Sequence, residues 1–140
     1  MTATDHAIDL TRAAAKAASN KLGDDLVAFD VSEPLAITDV FLIVSATNER
    51  QVGAIVDAVE EELLAIGVKP ARREGHGENR WVLLDFIDIV VHVMHTEERA
   101  LYTLERLWRD CPSIDLQLPS DEAPSVEPVA SSSVEPVETR

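Results

Sequence analysis

A chain of 140 residues with a formal net charge of −14 and one cysteine, Cys111, has room for a single domain and a tail. The lone cysteine excludes an internal disulfide and any multi-cysteine metal site, and suits a reducing compartment. No apolar run approaches the ~20 residues of a membrane-spanning helix. Asp5, Asp9, Arg12 and Lys16 interrupt the alanine-rich start, so no signal-peptide core is present and the expected address is the cytoplasm. An acidic chain is repelled by phosphate backbones, which argues against direct DNA or RNA binding. Its charge either keeps it soluble or suits a basic protein partner.

Residues 5–22 have helical spacing, with Ile8, Ala14, Ala15, Ala18 and Leu22 as the apolar stripe and Gly23 as the stop. Residues 26–31 read as a strand that Pro34, which lacks an N–H, prevents from continuing. The run 40–44 is apolar without alternation, as in a strand covered on both faces near a sheet centre. A second helix is expected over 49–66. Asn48 and Gln51 have the spacing of a capping box, Val52, Ile55, Val56, Val59 and Leu63 form its stripe, and Gly67 ends it. The polar stretch 70–74 reads as an edge strand and 75–79 as a loop.

The stretch 81–95, WVLLDFIDIVVHVMH, is the most apolar in the chain and reads as a hairpin turning near Phe86–Asp88. With an even-length loop at Ile87 and Asp88, Val82 pairs with Val93, Leu84 with Val91, and Phe86 with Ile89, which gives one apolar face. The other face carries Trp81, Leu83, Asp85, Val90, His92 and Met94, a mixture more typical of a binding surface than of a core. An odd-length loop would mix the two sets. Thr96 is then placed to cap a last helix running to Arg109, with Leu101, Leu104, Leu107 and Trp108 as its stripe. Beyond that, SVEPVA at 125–130 recurs as SVEPVE at 133–138 in a segment rich in proline, serine and glutamate. A domain over 1–111 and a disordered acidic tail over 112–140 are therefore expected. The fold class is α/β: a mixed sheet of about five strands with helices packed on it.

Little in the sequence carries chemistry. His92 and His95 fall on opposite faces of a strand and cannot share a metal. Asp85 and Asp88 flank a turn, where carboxylates ordinarily satisfy backbone donors. Neither common phosphate-binding glycine motif is present. Arg72, Arg73 and Arg80 make a basic cluster that either balances charge on an edge strand or anchors an acidic group. Trp81, paired with Met94 on the mixed face, is the leading candidate for a partner contact.

Several segments carry a family likeness in order and spacing. They are AITDVF at 36–41, RQV at 50–52, Glu74-Gly75, WVLLDF at 81–86, DIVVHV at 88–93 and RALYTLERLW at 99–108. Together they resemble the ribosomal silencing factor family, also called Iojap, over about residues 5–111. The tail has no apparent counterpart. The resemblance implies a non-enzymatic protein without a cofactor, on a nucleotidyltransferase-like scaffold that lacks the catalytic motif. Family members bind large-subunit ribosomal protein fourteen, block subunit joining and lower translation when nutrients are scarce. They are often homodimeric when free. The partner surface it implies comprises Trp81, Leu83, Asp85, Phe86, Ile87, Asp88, His92 and Met94. Ile87 stands where glycine is common in the family, and since a β-branched residue resists positive φ, a different turn type is expected. The competing expectation is a metal-dependent enzyme on the same scaffold, with Asp39, Asp85 and Asp88 as ligands.

Overall fold

The computed structural model describes residues 2–118. In chain order it contains α1 (Asp5–Asn20), β1 (Asp24–Asp30), β2 (Val40–Ala46), α2 (Glu49–Leu64), β3 (Arg72–Glu74), β4 (Trp81–Asp85), β5 (Ile89–His95), α3 (Thr96–Tyr102) and α4 (Leu104–Trp108). The five strands form one mixed sheet in the order β1-β2-β5-β4-β3. Only the β2–β5 pairing is parallel; the other three are antiparallel. Both β2 and β5 lie between neighbours and are buried along almost their whole length, which accounts for the unalternating apolar run 40–44 in β2. The polar β3 sits at the edge with all three residues exposed, as its composition predicts.

One sheet face is covered by α1 and α2. The α2 stripe of Val52, Ile55, Val56, Val59 and Leu63 is fully buried there. So are Val82, Leu84, Phe86, Ile89, Val91 and Val93, the six hairpin residues assigned to one face. The hairpin register is the expected one, with Val82 opposite Val93 and Leu84 opposite Val91. The Phe86 N–H donates to the Ile89 carbonyl at 2.9 Å, closing a two-residue loop.

The helix ends combine local capping with ties to distant elements. Asn48 caps α2, its Oδ1 accepting from the Gln51 N–H at 2.8 Å. The Gln51 side chain does not complete the box, however. Its Nε2 donates to the Lys21 and Leu22 carbonyls and ties α2 to the end of α1. At that end the Gly23 N–H reaches the Ala18 carbonyl and the Leu22 N–H reaches the Ser19 carbonyl, both at 2.9 Å, the paired bonds of a Schellman motif. Leu22, not glycine, takes the left-handed position, and it is exposed rather than part of the stripe. Gly23 is needed for another reason: a Cβ there would lie 2.6 Å from Val44 Cγ2. At the end of α2 the same bonds form around Gly67, whose φ is +84°.

The C-terminal part departs most from expectation. The last helix is broken at Thr103, which adopts φ 43° and ψ 54°, so α3 and α4 are separate short helices. Leu101 and Leu107 are exposed, and the single stripe does not exist. His95 caps α3 through Nδ1, while Thr96 Oγ1 donates to the Ala46 carbonyl. Residues 112–118 are not free chain. The Pro112 carbonyl accepts from Asp30, the Ile114 N–H donates to Ala28, and Leu116 and Leu118 enter the main core. Burial of two leucines outweighs what the polar composition around them suggests. The expected boundary at 111 therefore moves to at least 118, and the remaining tail, with its repeat, lies outside the described residues.

Candidate partner-binding surface

The second face of the sheet is only partly covered. Phe29, Val31, Ile43, Met94 and Leu104 make a small core on it, flanked by Val27, Leu35, Phe41, Trp81, Trp108 and Cys111. This cluster divides the mixed face of the hairpin. Met94 is 0 % exposed and His92 4 %, so neither presents side-chain surface. Phe86 is likewise withdrawn into the main core on the other side. Met94 and His92 are buried because α4 and the segment around Cys111 cover ground that the strand pattern left open, whereas Phe86 lies on the face that α1 and α2 cover.

Trp81, Leu83, Asp85 and Asp88 remain partly accessible, and Ile87 is 58 % exposed at the hairpin tip. Leu83, Asp85, Ile87 and Val90 line one wall of a groove, with Arg72 beside them. The other wall comes from Leu35, Ile37, Thr38 and Phe41, in and after the 31–39 loop. Ile37 is 83 % exposed, and Thr38 Oγ1 is buried without a hydrogen-bond partner. The loop is joined to the hairpin by the Asp39 N–H, which donates to the Asp88 carbonyl at 3.0 Å. Strand periodicity could not bring Leu35 and Ile37 into the site. The available signal was the short apolar run Leu35-Ala36-Ile37 between Pro34 and Thr38.

The hairpin tip is strained. Ile87 adopts φ 76°, against the expectation that its β-branch would exclude positive φ. The Asp88 N–H donates to the Phe86 carbonyl at 2.9 Å, an i to i+2 bond of the γ-turn kind, which is strained when its central φ is positive. Asp85 Oδ1 accepts from the Ile87 N–H at 2.9 Å and holds the turn. Such outliers persist where the surroundings enforce them, often at binding sites.

The aromatic end of the surface is ordered by contacts among side chains. The Trp81 ring centroid lies 5.2 Å from that of Tyr102, which is exposed. On its other side the Trp81 indole Nε1–H donates to His92 Nδ1 at 3.1 Å. His92 in turn packs edge-on against Phe41 at 4.9 Å, and Phe41 against Trp108 at 5.2 Å. Tyr102 belongs to this surface, and only its tertiary position reveals it.

Of the two readings of the basic cluster, the ion pairs favour charge balancing. Arg80 donates to Glu49, Glu97 and Glu98 at 2.9, 2.9 and 2.7 Å, joining the starts of α2 and α3. Those hydrogen bonds raise the Arg80 pKa further and hold the Glu49 and Glu97 carboxyls below their usual range. Arg73 pairs with Glu60, and Arg72 with Glu74 and Asp85. The expected metal ligands are also engaged separately. Asp39 Oδ2 accepts from the Thr4 N–H, Asp85 holds the turn, and Asp88 faces His6 at 3.7 Å. Among the described residues no cluster of three or more histidine, cysteine or acidic residues is placed to hold a metal ion. Asp39, Asp85 and Asp88 therefore form no such cluster among the described residues.

Residues 4–138 match the family described as ribosomal silencing factor during starvation. The chain belongs to the ribosomal silencing factor family. The match extends into the tail, where no counterpart was expected. A ribosomal silencing factor of Halalkalibacterium halodurans is 38 % identical over 109 residues, 78 % of this chain and 93 % of the relative. One from Bacillus subtilis is 38 % identical over 107 residues, 76 % and 91 % of the two chains. The chloroplastic protein Iojap of Zea mays is 33 % identical over 73 % of this chain and 44 % of its own. The solved structure of a Chromobacterium violaceum protein superposes with a TM-score of 0.70 at 32 % identity, covering 72 % of this chain and 84 % of that one. Among the described residues of this silencing factor family member, no helix is long and apolar enough to cross a membrane.

Proposed function

We propose that this protein binds the large ribosomal subunit through ribosomal protein fourteen and sterically blocks joining of the small subunit, repressing translation. The observation that carries the reading is the accessible groove and aromatic edge on the second sheet face, in a chain of this family. Trp81, Leu83, Asp85, Ile87 and Asp88 supply the hairpin side of the contact, and Leu35, Ile37 and Tyr102 extend it. An apolar patch with one aromatic anchor and a polar rim is the usual make-up of an interface of roughly 1,600 Å². The net charge of −14 speeds encounter with a basic ribosomal protein. The mechanism needs no chemistry, only occupancy of a surface that the small subunit requires. In this reading the protein acts in the cytoplasm, is not an enzyme, and pairs with itself through the same surface when free.

The test is co-sedimentation with separated large subunits, together with an assay of subunit joining. The wild-type protein is expected to sediment with large subunits and to inhibit joining. Trp81→Ala is expected to weaken binding by about 2 kcal/mol, roughly thirtyfold. Absence of co-sedimentation, or unchanged joining at saturating protein, refutes the proposal.

A further inference from the structure

Trp81 and His92 are diagonal neighbours on one face of the β4–β5 pair, since Trp81 lies opposite Met94 and His92 opposite Leu83. An indole N–H can only donate, so the 3.1 Å contact from Trp81 Nε1 requires a lone pair on His92 Nδ1. The neutral imidazole must then carry its proton on Nε2, and that nitrogen is buried without a partner. A buried side chain with an unsatisfied donor is costly compared with an apolar ring of the same size. His92 is also held in place by the edge of Phe41, so its Nδ1 is a fixed point rather than a mobile one. Trp81 is only half-buried, and a half-buried indole without an acceptor would be free to turn its N–H to water. Among the described residues the directional restraint on the ring is the hydrogen bond to His92; packing against the Met94 and Leu104 cluster is non-directional, and Tyr102, on the other side, is exposed and gives a tilted ring contact.

We infer that His92 is a positioning residue, which touches no partner but sets the angle at which Trp81 is presented to one. The inference deepens the ribosomal reading above and rests on it for its consequence in binding, though not for the Trp81–His92 contact itself. Burial lowers the pKa of His92 to about 4, so the acceptor lone pair is available throughout the neutral range.

Two variants separate ring volume from the acceptor. His92→Phe keeps a ring against Phe41 and removes the acceptor. His92→Asn loses ring volume but places an amide oxygen near the Nδ1 position. If His92 acts by positioning, Phe should weaken binding to large subunits about tenfold, while Asn stays within about threefold of wild type. A purely packing role gives the opposite order, and that order overturns the inference. Nitrogen-15 spectra supply an arm independent of ribosomes, and for the wild-type protein one independent of variant folding as well. They should show His92 protonated on Nε2 and the Trp81 indole proton shifted by its hydrogen bond, a shift lost in the Phe variant. A proton on Nδ1 overturns the inference even if binding is intact. Wild-type protein that shows the expected spectra but fails to bind large subunits overturns the ribosomal reading and leaves the positioning contact standing.

Discussion

Ile87→Gly and Ile87→Ala form an informative pair, because the backbone at the hairpin tip should reverse their usual order. Ile87 sits at φ 76° and is 58 % exposed. Truncation to alanine removes the buried two-fifths of an isoleucine side chain, about 1 kcal/mol of apolar burial. It leaves a Cβ in the left-handed region, so most of the strain stays. Glycine loses the same burial and a further ~0.7 kcal/mol through the greater freedom of its unfolded chain. It also relieves a left-handed penalty of about 1–2 kcal/mol. The glycine variant should therefore be near wild type in stability, and about 0.5–1 kcal/mol more stable than the alanine variant. Urea unfolding followed by tryptophan fluorescence measures both, provided the slopes agree. Alanine more stable than glycine would mean that residue 87 is not held at positive φ. If Ile87 also contacts the ribosomal partner, both variants should bind more weakly by a similar factor, which would show that the conserved stability of the glycine form is not the cause.

Three other outcomes follow from the packing. Between the ordinary histidine value of 6.5 and about 4 for His92, the unfolded chain takes up a proton that the folded chain does not, so this group makes stability fall as the pH is lowered. From about pH 7.5 to about pH 5 its share of the loss is on the order of 2 kcal/mol, and His92→Phe should remove that share from the pH profile of urea midpoints. Gly75→Ala should destabilise by at least about 2 kcal/mol, since φ is +82° and a Cβ would lie 2.0 Å from the Trp81 carbonyl oxygen; Gly77→Ala, with open space around it, should cost only about 1 kcal/mol. Leu116→Ala should cost about 2 kcal/mol in the same assay, and no effect would mean that the segment after Cys111 is not packed.

Sequence periodicity was enough for much of this protein. The α2 stripe, the double-covered β2, the polar edge strand and the register of the hairpin are local consequences of side-chain period and turn length, and all appear as read. The two faces of 81–95 were separable because a two-residue loop fixes parity. The tertiary structure alone decided which part of the mixed face stays open. His92 and Met94 disappear beneath α4 and the Cys111 segment, while Leu35, Ile37 and Tyr102 arrive from elements distant in sequence. It also decided that Thr103 breaks the last helix and that Leu116 and Leu118 close the main core. The period of an element says which residues share a face. It does not say what covers that face, because burial is set by non-local packing. For the same reason Ile87 takes a backbone conformation that its own side chain resists: the hairpin, Asp85 and the Asp39 contact impose it from outside.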